Sequence, residues 1–179
     1  MASAFSHAIV ASSLATACPR EVSTRRLLLA GIFSSVVPDI DSIGFAYGVA
    51  YESFWGYRGF THSLVFAFVL SVALTCVFFR KPGIRFAAVV YLFVCAASHG
   101  VLDAFTNGGL GVAFLSPFAT TRYFFSFRPV LVSPISVQRF FTSRGAEVLV
   151  SECKWIWLPS IVFILLATLF QKWRSDRAA

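Results

Sequence analysis

Three histidines and four acidic residues occupy positions from which they could share a metal ion. The histidines are His7, His62 and His99, and the carboxylates are Asp39, Asp41, Asp103 and Glu152. His99 and Asp103 are four residues apart, so on a helix they share one face with Cβ atoms about 5–6 Å apart. Asp39 and Asp41 frame a Pro38-Asp39-Ile40-Asp41 turn, and His62 follows Thr61 in an Arg58-Gly59-Phe60-Thr61-His62-Ser63 run. Imidazole with carboxylate suits Zn²⁺ first, with Mn²⁺ or Fe²⁺ as alternatives. His7, Asp39, Asp41, His62, His99 and Asp103 exceed the needs of one tetrahedral zinc, so two or more ions could share the carboxylates. A bound zinc brings the pKa of its water to about 7 and polarises a phosphoryl or carbonyl oxygen, which is the chemistry of hydrolysis. Arg58, Arg122, Arg128, Arg139 and Arg144 add guanidinium forks that match phosphate oxygens, or else meet lipid headgroups.

Each residue also has a plainer role. Asp39 and Asp41 can cap a turn, Thr61 can cap a helix, and a lone histidine between helices can be a packing residue. Asp103 is harder to place that way. A carboxylate at mid-helix in a membrane costs about 2.5–3.5 kcal/mol on insertion scales and is usually kept for function.

The elements that hold these groups are membrane helices. Of the 179 residues, 58% are hydrophobic and only 13% are charged, against about one-quarter charged in soluble domains. The length suggests a single domain spanning 1–179. Thr61–Phe79, Ile84–Phe105 and Trp155–Phe170 are apolar runs near the length of a span. Ala4–Ala17 and Leu27–Val37 are shorter, and at about 1.5 Å per residue they reach only part of the way across. The expected fold is an all-α integral membrane bundle of about four to five helices, with a long irregular loop before the last. Within that loop, Phe127–Val137 could form a short extended element, confined to an edge by its prolines.

If all five runs cross, the histidines, Asp39, Asp41, Asp103 and Glu152 gather at one face. The opposite face holds Arg20, Arg25, Arg26, Arg80, Lys81, Arg85, Lys172, Arg174 and Arg177, nine of the 15 Lys and Arg residues. The positive-inside rule puts that basic face in the cytoplasm and the metal ligands outside. The net charge of +7 therefore reads as topology and lipid contact, with no basic-aromatic module for nucleic acid. The four cysteines form no CxxC pair, and the N-terminus lacks the positive start of a secretory signal, although Ala15-Thr16-Ala17 looks like a cleavage site.

At these residues the chain resembles the YdjM-like, LexA-regulated, membrane-bound metal-dependent hydrolases of bacteria. The matching stretches are Ser6-His7, Pro38 to Ser42, Arg58 to Ser63, His99 to Gly109 and Ser116-Pro117-Phe118. Many members carry a histidine ahead of the arginine, where this chain has Tyr57. The ligand order also resembles zinc-dependent phospholipase C and the single-strand-specific zinc nucleases. That likeness implies one metal on His62, His99 and Asp103 with Asp39 or Asp41, and a second on His7 with Asp103. A further His/His/Glu set in those enzymes has only Glu152 or Glu147 as a partial counterpart here. The resemblance implies a bacterial inner-membrane phosphoesterase with a phospholipid or other amphiphilic substrate, its site at the periplasmic face. Asp39 or Asp41 would serve as base, with Arg58 and Glu152 also catalytic. The alternative is a metal-binding membrane protein without hydrolysis, such as a metal carrier or envelope-stress factor. Against a carrier, the far halves of the third and fourth runs offer only Ser71, Thr75, Cys76, Tyr91 and Cys95, none charged. A structural bundle with no site is the third reading.

Overall fold

The computed structural model describes residues 1–19 and 22–178, and every regular element among them is helical. Arg20, counted above on the basic face, lies outside the described residues. Helix α1 spans Ala4–Ala15 and α2 spans Arg25–Val36. The Thr24 hydroxyl starts α2 by accepting the Leu27 N–H at 3.2 Å. At its far end α2 passes directly into a 3₁₀ helix, Val37–Tyr47, with Pro38 in the first turn where a missing N–H costs nothing. Gly48, left-handed at φ 72°, ends it. A 3₁₀ turn at Phe60–His62 leads into α3, Leu64–Phe78, and α4 spans Pro82–Ala104. An irregular stretch follows, then a short α5 (Val137–Phe140) and α6 (Ser143–Glu152). A π-helical turn, Cys153–Trp157, joins α6 to α7 (Leu158–Ala178).

Among the described residues, three helical segments are long and apolar enough to cross a membrane: Arg25–Tyr47, Pro82–Ala104 and Ser143–Arg177. This revises the apolar runs in three places. The second run is not short, because the 3₁₀ helix carries it on through Asp39 and Asp41. The third is shorter than expected, because Ser63 rather than Thr61 caps it: the Ser63 Oγ accepts the Phe66 N–H at 3.1 Å. The last begins at Ser143, so Glu152 lies inside a continuous helix and not before one. The extended element expected at 127–137 reduces to an isolated bridge, Thr106 to Val130, and no strand forms among the described residues.

The helices α1, α2 and α4 pack closely because small residues line their seam. Gly31 of α2 leaves space that the Tyr91 ring of α4 fills, and a Cβ there would overlap the phenol. The Tyr91 hydroxyl goes on to donate to the Ala11 carbonyl of α1 at 2.9 Å. Ser34 donates to the Leu92 carbonyl at 3.1 Å, a second stitch between α2 and α4. Around this seam Ala11, Leu27, Ala88, Leu92 and Cys95 form the main apolar core. By contrast α7 keeps much of its surface apolar and exposed, at Ile161, Leu165, Leu166 and Leu169 among others, as a lipid-facing helix must.

Gly31→Val should lower the melting temperature in detergent, with a cost of about 1–3 kcal/mol from overpacking. Combined with Tyr91→Leu, it should cost less than the sum of the two single changes.

Candidate metal centre

Four side chains from three separate elements converge on one buried point. Asp39 comes from the 3₁₀ helix after α2, His62 from the turn before α3, and His99 and Asp103 from one face of α4. One ligand atom from each lies within 4.8 Å of the other three. The His62 and His99 Nε2 atoms are 3.0 Å apart. Asp39 Oδ1 is 3.4 Å from His99 Nε2 and 3.9 Å from His62 Nε2, and Asp103 Oδ2 is 3.6 Å from His62 Nε2. Tetrahedral ligands about 2.0–2.1 Å from a zinc ion are about 3.3–3.4 Å apart, so this spacing fits one.

The tautomers point the same way. The Nδ1 of His99 lies 2.7 Å from the Ser35 carbonyl, which can only accept, so that nitrogen carries the proton. The Nδ1 of His62 lies 3.1 Å from Asp41 Oδ2, again an acceptor. Both Nε2 atoms then turn bare lone pairs towards each other, an arrangement that needs a proton or a cation between them. The Asp39 carboxylate sharpens this requirement. Both of its oxygens are buried without a hydrogen-bond partner, a costly state unless a cation compensates it. Burial pushes the His62 imidazole down, but Asp103 and Asp41 more than reverse this and lift it to about 9.

Asp41 stands one step back. Its Oδ2 accepts from Thr61 Oγ1 at 2.6 Å and the Arg58 N–H at 2.9 Å, besides meeting His62. Thr61, read as a helix cap from sequence, is spent on orienting this carboxylate. Such a carboxylate behind a ligand histidine fixes its tautomer and raises its basicity. His7 lies on the other side of the cluster. Its ring stacks on His99 at 3.8 Å between centroids, its Nε2 is 3.7 Å from Asp103 Oδ1, and both of its nitrogens are buried without partners.

Arg58 is fully buried and faces inward. Its Nε is 3.0 Å from Asp103 Oδ2, with the N–H off the line of a hydrogen bond. Its two amino groups donate to the Gly108 carbonyl at 2.8 Å and Thr106 Oγ1 at 2.9 Å. Burial opposes the guanidinium charge, but Asp103 together with Tyr57, Tyr51 and Asp39 outweighs it and raises the pKa. The Thr106-to-Gly109 stretch is thus a socket for this arginine. A Cβ at Gly109, whose φ is 89°, would come 2.8 Å from the guanidinium. Arg58 itself sits at φ 59°, a strained value for a non-glycine residue, held by its backbone bond to Asp41. Next to it, the Tyr57 hydroxyl is buried without a partner, and burial followed by Asp103 pushes its pKa upward.

Glu152 is in a different place. Its carboxylate accepts from the Ser3 N–H and hydroxyl and, at 2.8 Å, from Ser6 Oγ. It caps the start of α1 across 149 positions of sequence and contributes nothing to the four-atom cluster. The other loop arginines are occupied or remote. Arg122 ties the Tyr57 and Tyr51 carbonyls together at 2.7 and 2.8 Å, Arg144 pairs with Glu147, and Arg128 lies over the Phe124 ring. Arg139 is exposed on α5. Ser35 and the glycine socket were not anticipated, since a backbone carbonyl acceptor carries no signature in sequence.

The family described as YdjM inner membrane protein matches residues 1–175. The chain belongs to the YdjM family. Among its relatives, the Escherichia coli (strain K12) inner membrane protein YbcI is 39% identical over 167 residues, covering 92% of this chain and 95% of that one. No solved structure matches. This YdjM-family chain is therefore a multi-pass inner membrane protein, and its Asp39–His62–His99–Asp103 group could hold a metal ion.

Protein purified in detergent should carry close to one equivalent of zinc or manganese by elemental analysis. His62→Ala and His99→Ala should each strip most of it, whereas Asp41→Asn should weaken affinity about 10–100-fold. Glu152→Gln should leave metal content alone and lower thermal stability. Protons compete for the same nitrogens and oxygens, His62 among them, so retention should fall steadily as pH drops from about 9 towards 5.

Proposed function

We propose that this protein is a metal-dependent hydrolase of phosphoester bonds in an amphiphilic or lipid substrate. The observation that carries this reading is the Asp39 carboxylate. It belongs to the ligand cluster, and both of its oxygens are buried without a hydrogen-bond partner. A divalent cation bound there would acidify an adjacent water and polarise a phosphoryl oxygen. Zinc fits the donor set best, with manganese or iron as alternatives.

The chain's own groups divide the remaining work. Asp39, whose oxygens are free of hydrogen bonds, takes the proton of the attacking water, since Asp41 Oδ2 is already engaged by Thr61, Arg58 and His62. Arg58 holds Asp103 in place from inside its socket, a positioning role in place of the direct substrate contact expected from sequence. The Tyr57 hydroxyl is the neutral donor left over beside it. An amphiphilic substrate suits the surroundings: the 3₁₀ helix that supplies Asp39 exposes Ile40, Ile43, Phe45 and Tyr47, with Trp55 exposed nearby. Such a rim of apolar and aromatic side chains belongs at a membrane interface. The basic connections support placing this end on the periplasmic side, with membrane lipids as its surroundings and no role for nucleic acid.

One observation favours the alternative of a metal-binding protein without hydrolysis. All four donors are nine-tenths or more buried, and closed sites are more often structural than catalytic. Activity separates the two readings. Metal-loaded wild type should hydrolyse a short-chain phospholipid or generic phosphodiester, a chelator should silence it, and added zinc or manganese should restore it. Asp39→Asn should cost about 10²–10⁴-fold in rate while keeping much of the metal. No turnover across a broad phosphoester panel would leave the non-enzymatic reading.

Orientation has its own test, in a background without native cysteines. Val137→Cys, exposed on α5, should react with an impermeant maleimide in intact cells, and Gly83→Cys, in open space at the start of α4, should not. The reverse result would put the site on the cytoplasmic side.

A further inference from the structure

The end of the bundle away from the metal cluster carries a groove between α2 and α3. Its volume is about 470 Å³, within the range of ligand pockets. Leu29, Ala30 and Phe33 line one wall, Leu74 and Phe78 the other, and Arg25 and Arg26 stand at one end. The spacing makes this a continuous strip. Residues 26, 29, 30 and 33 fall on one face of α2, and 74 and 78 on one face of α3. Ser35 of α2 touches His99, and α3 starts beside His62. Arg25 is ten residues before Ser35, so it lies about 15 Å along the helix from the cluster.

Two features of this groove call for an amphiphile. Its walls are apolar and open, with Leu29 56% and Phe33 55% exposed. Its end is cationic where a helix would favour an anion: the first turn of α2 holds both arginines and no carboxylate. Among the described residues no acidic side chain pairs with either arginine. A phosphate there would meet two guanidinium groups and the positive end of the helix at once. A free anion would leave the apolar strip unused.

We propose that this groove binds an anionic phospholipid, with its phosphate on Arg25 and Arg26 and an acyl chain along Leu29, Phe33 and Phe78. The site is separate from the metal cluster and does not depend on hydrolysis.

Native mass spectrometry of the full chain, titrated with phosphatidylglycerol or with phosphatidylcholine of identical acyl chains, tests this. Wild type should retain one phosphatidylglycerol at least tenfold better than phosphatidylcholine. Arg25→Gln with Arg26→Gln should remove that preference, while Arg174→Gln with Arg177→Gln, elsewhere among the basic residues, should keep it. Both pairs are exposed, and unchanged helicity and melting in lipid-free detergent would show that each variant is folded. Inorganic phosphate at millimolar concentration should not displace the lipid. Equal retention of the two lipids, equal loss in both double variants, or displacement by inorganic phosphate would overturn the proposal.

Discussion

Asp103 places a carboxylate inside an apolar helix bundle, and much of the surrounding architecture answers that charge. The Arg58 guanidinium approaches it from one side and the Ala2 N–H donates to it at 2.8 Å from another. His62 and His7 flank the same two oxygens. Each of these partners is itself buried, so each needs support in turn. Arg58 requires the Thr106–Gly109 socket, His62 requires Asp41, and Asp41 requires Thr61. In a medium that screens poorly, a single charge thus recruits a chain of polar groups, and a break anywhere in it leaves a buried group unanswered.

This dependence explains which parts could be read from the amino-acid sequence. The His99–Asp103 spacing is local, and helical geometry alone puts the pair on one face. The apolar runs announce a helical bundle for the same reason. Their limits were harder to read, because the helix at 25–47 continues through two aspartates that hydropathy alone would treat as an end. A 3₁₀ segment can carry those carboxylates on its inner side while Ile40 and Ile43 face outward. Glu152 looked like one more ligand because its type is right. Only the fold shows that Ser3 and Ser6 consume it. Arg58 looked like a loop guanidinium free to hold a substrate phosphate, since nothing local signals that a turn with φ near 59° aims its side chain inward.

The four-donor cluster has little redundancy. Asp39 is the only donor on its element, as His62 is on its own, and only α4 supplies two. The position of Asp39 depends on Pro38 starting the 3₁₀ helix without a break after α2. The position of His62 depends on a three-residue turn between two backbone-constrained points, Gly59 and the Ser63 cap. Apolar packing of α1, α2 and α4 then sets how closely these elements approach, which is why a glycine against a tyrosine far from the cluster matters to it.

The bond between Glu152 and the serines of the first helix also sets an order of events during synthesis. A ribosome releases Ser3 long before Glu152, which follows α1, α2, α3 and α4 in chain order. Until then the start of α1 has no carboxylate to hold it, and His7, one turn further along the same helix, has no fixed place against His99. The nascent chain therefore inserts its first four helices with this corner of the cluster unfastened. Arrival of the segment that carries Glu152 closes it, so the place of His7 is fixed after the other two histidines have already been made.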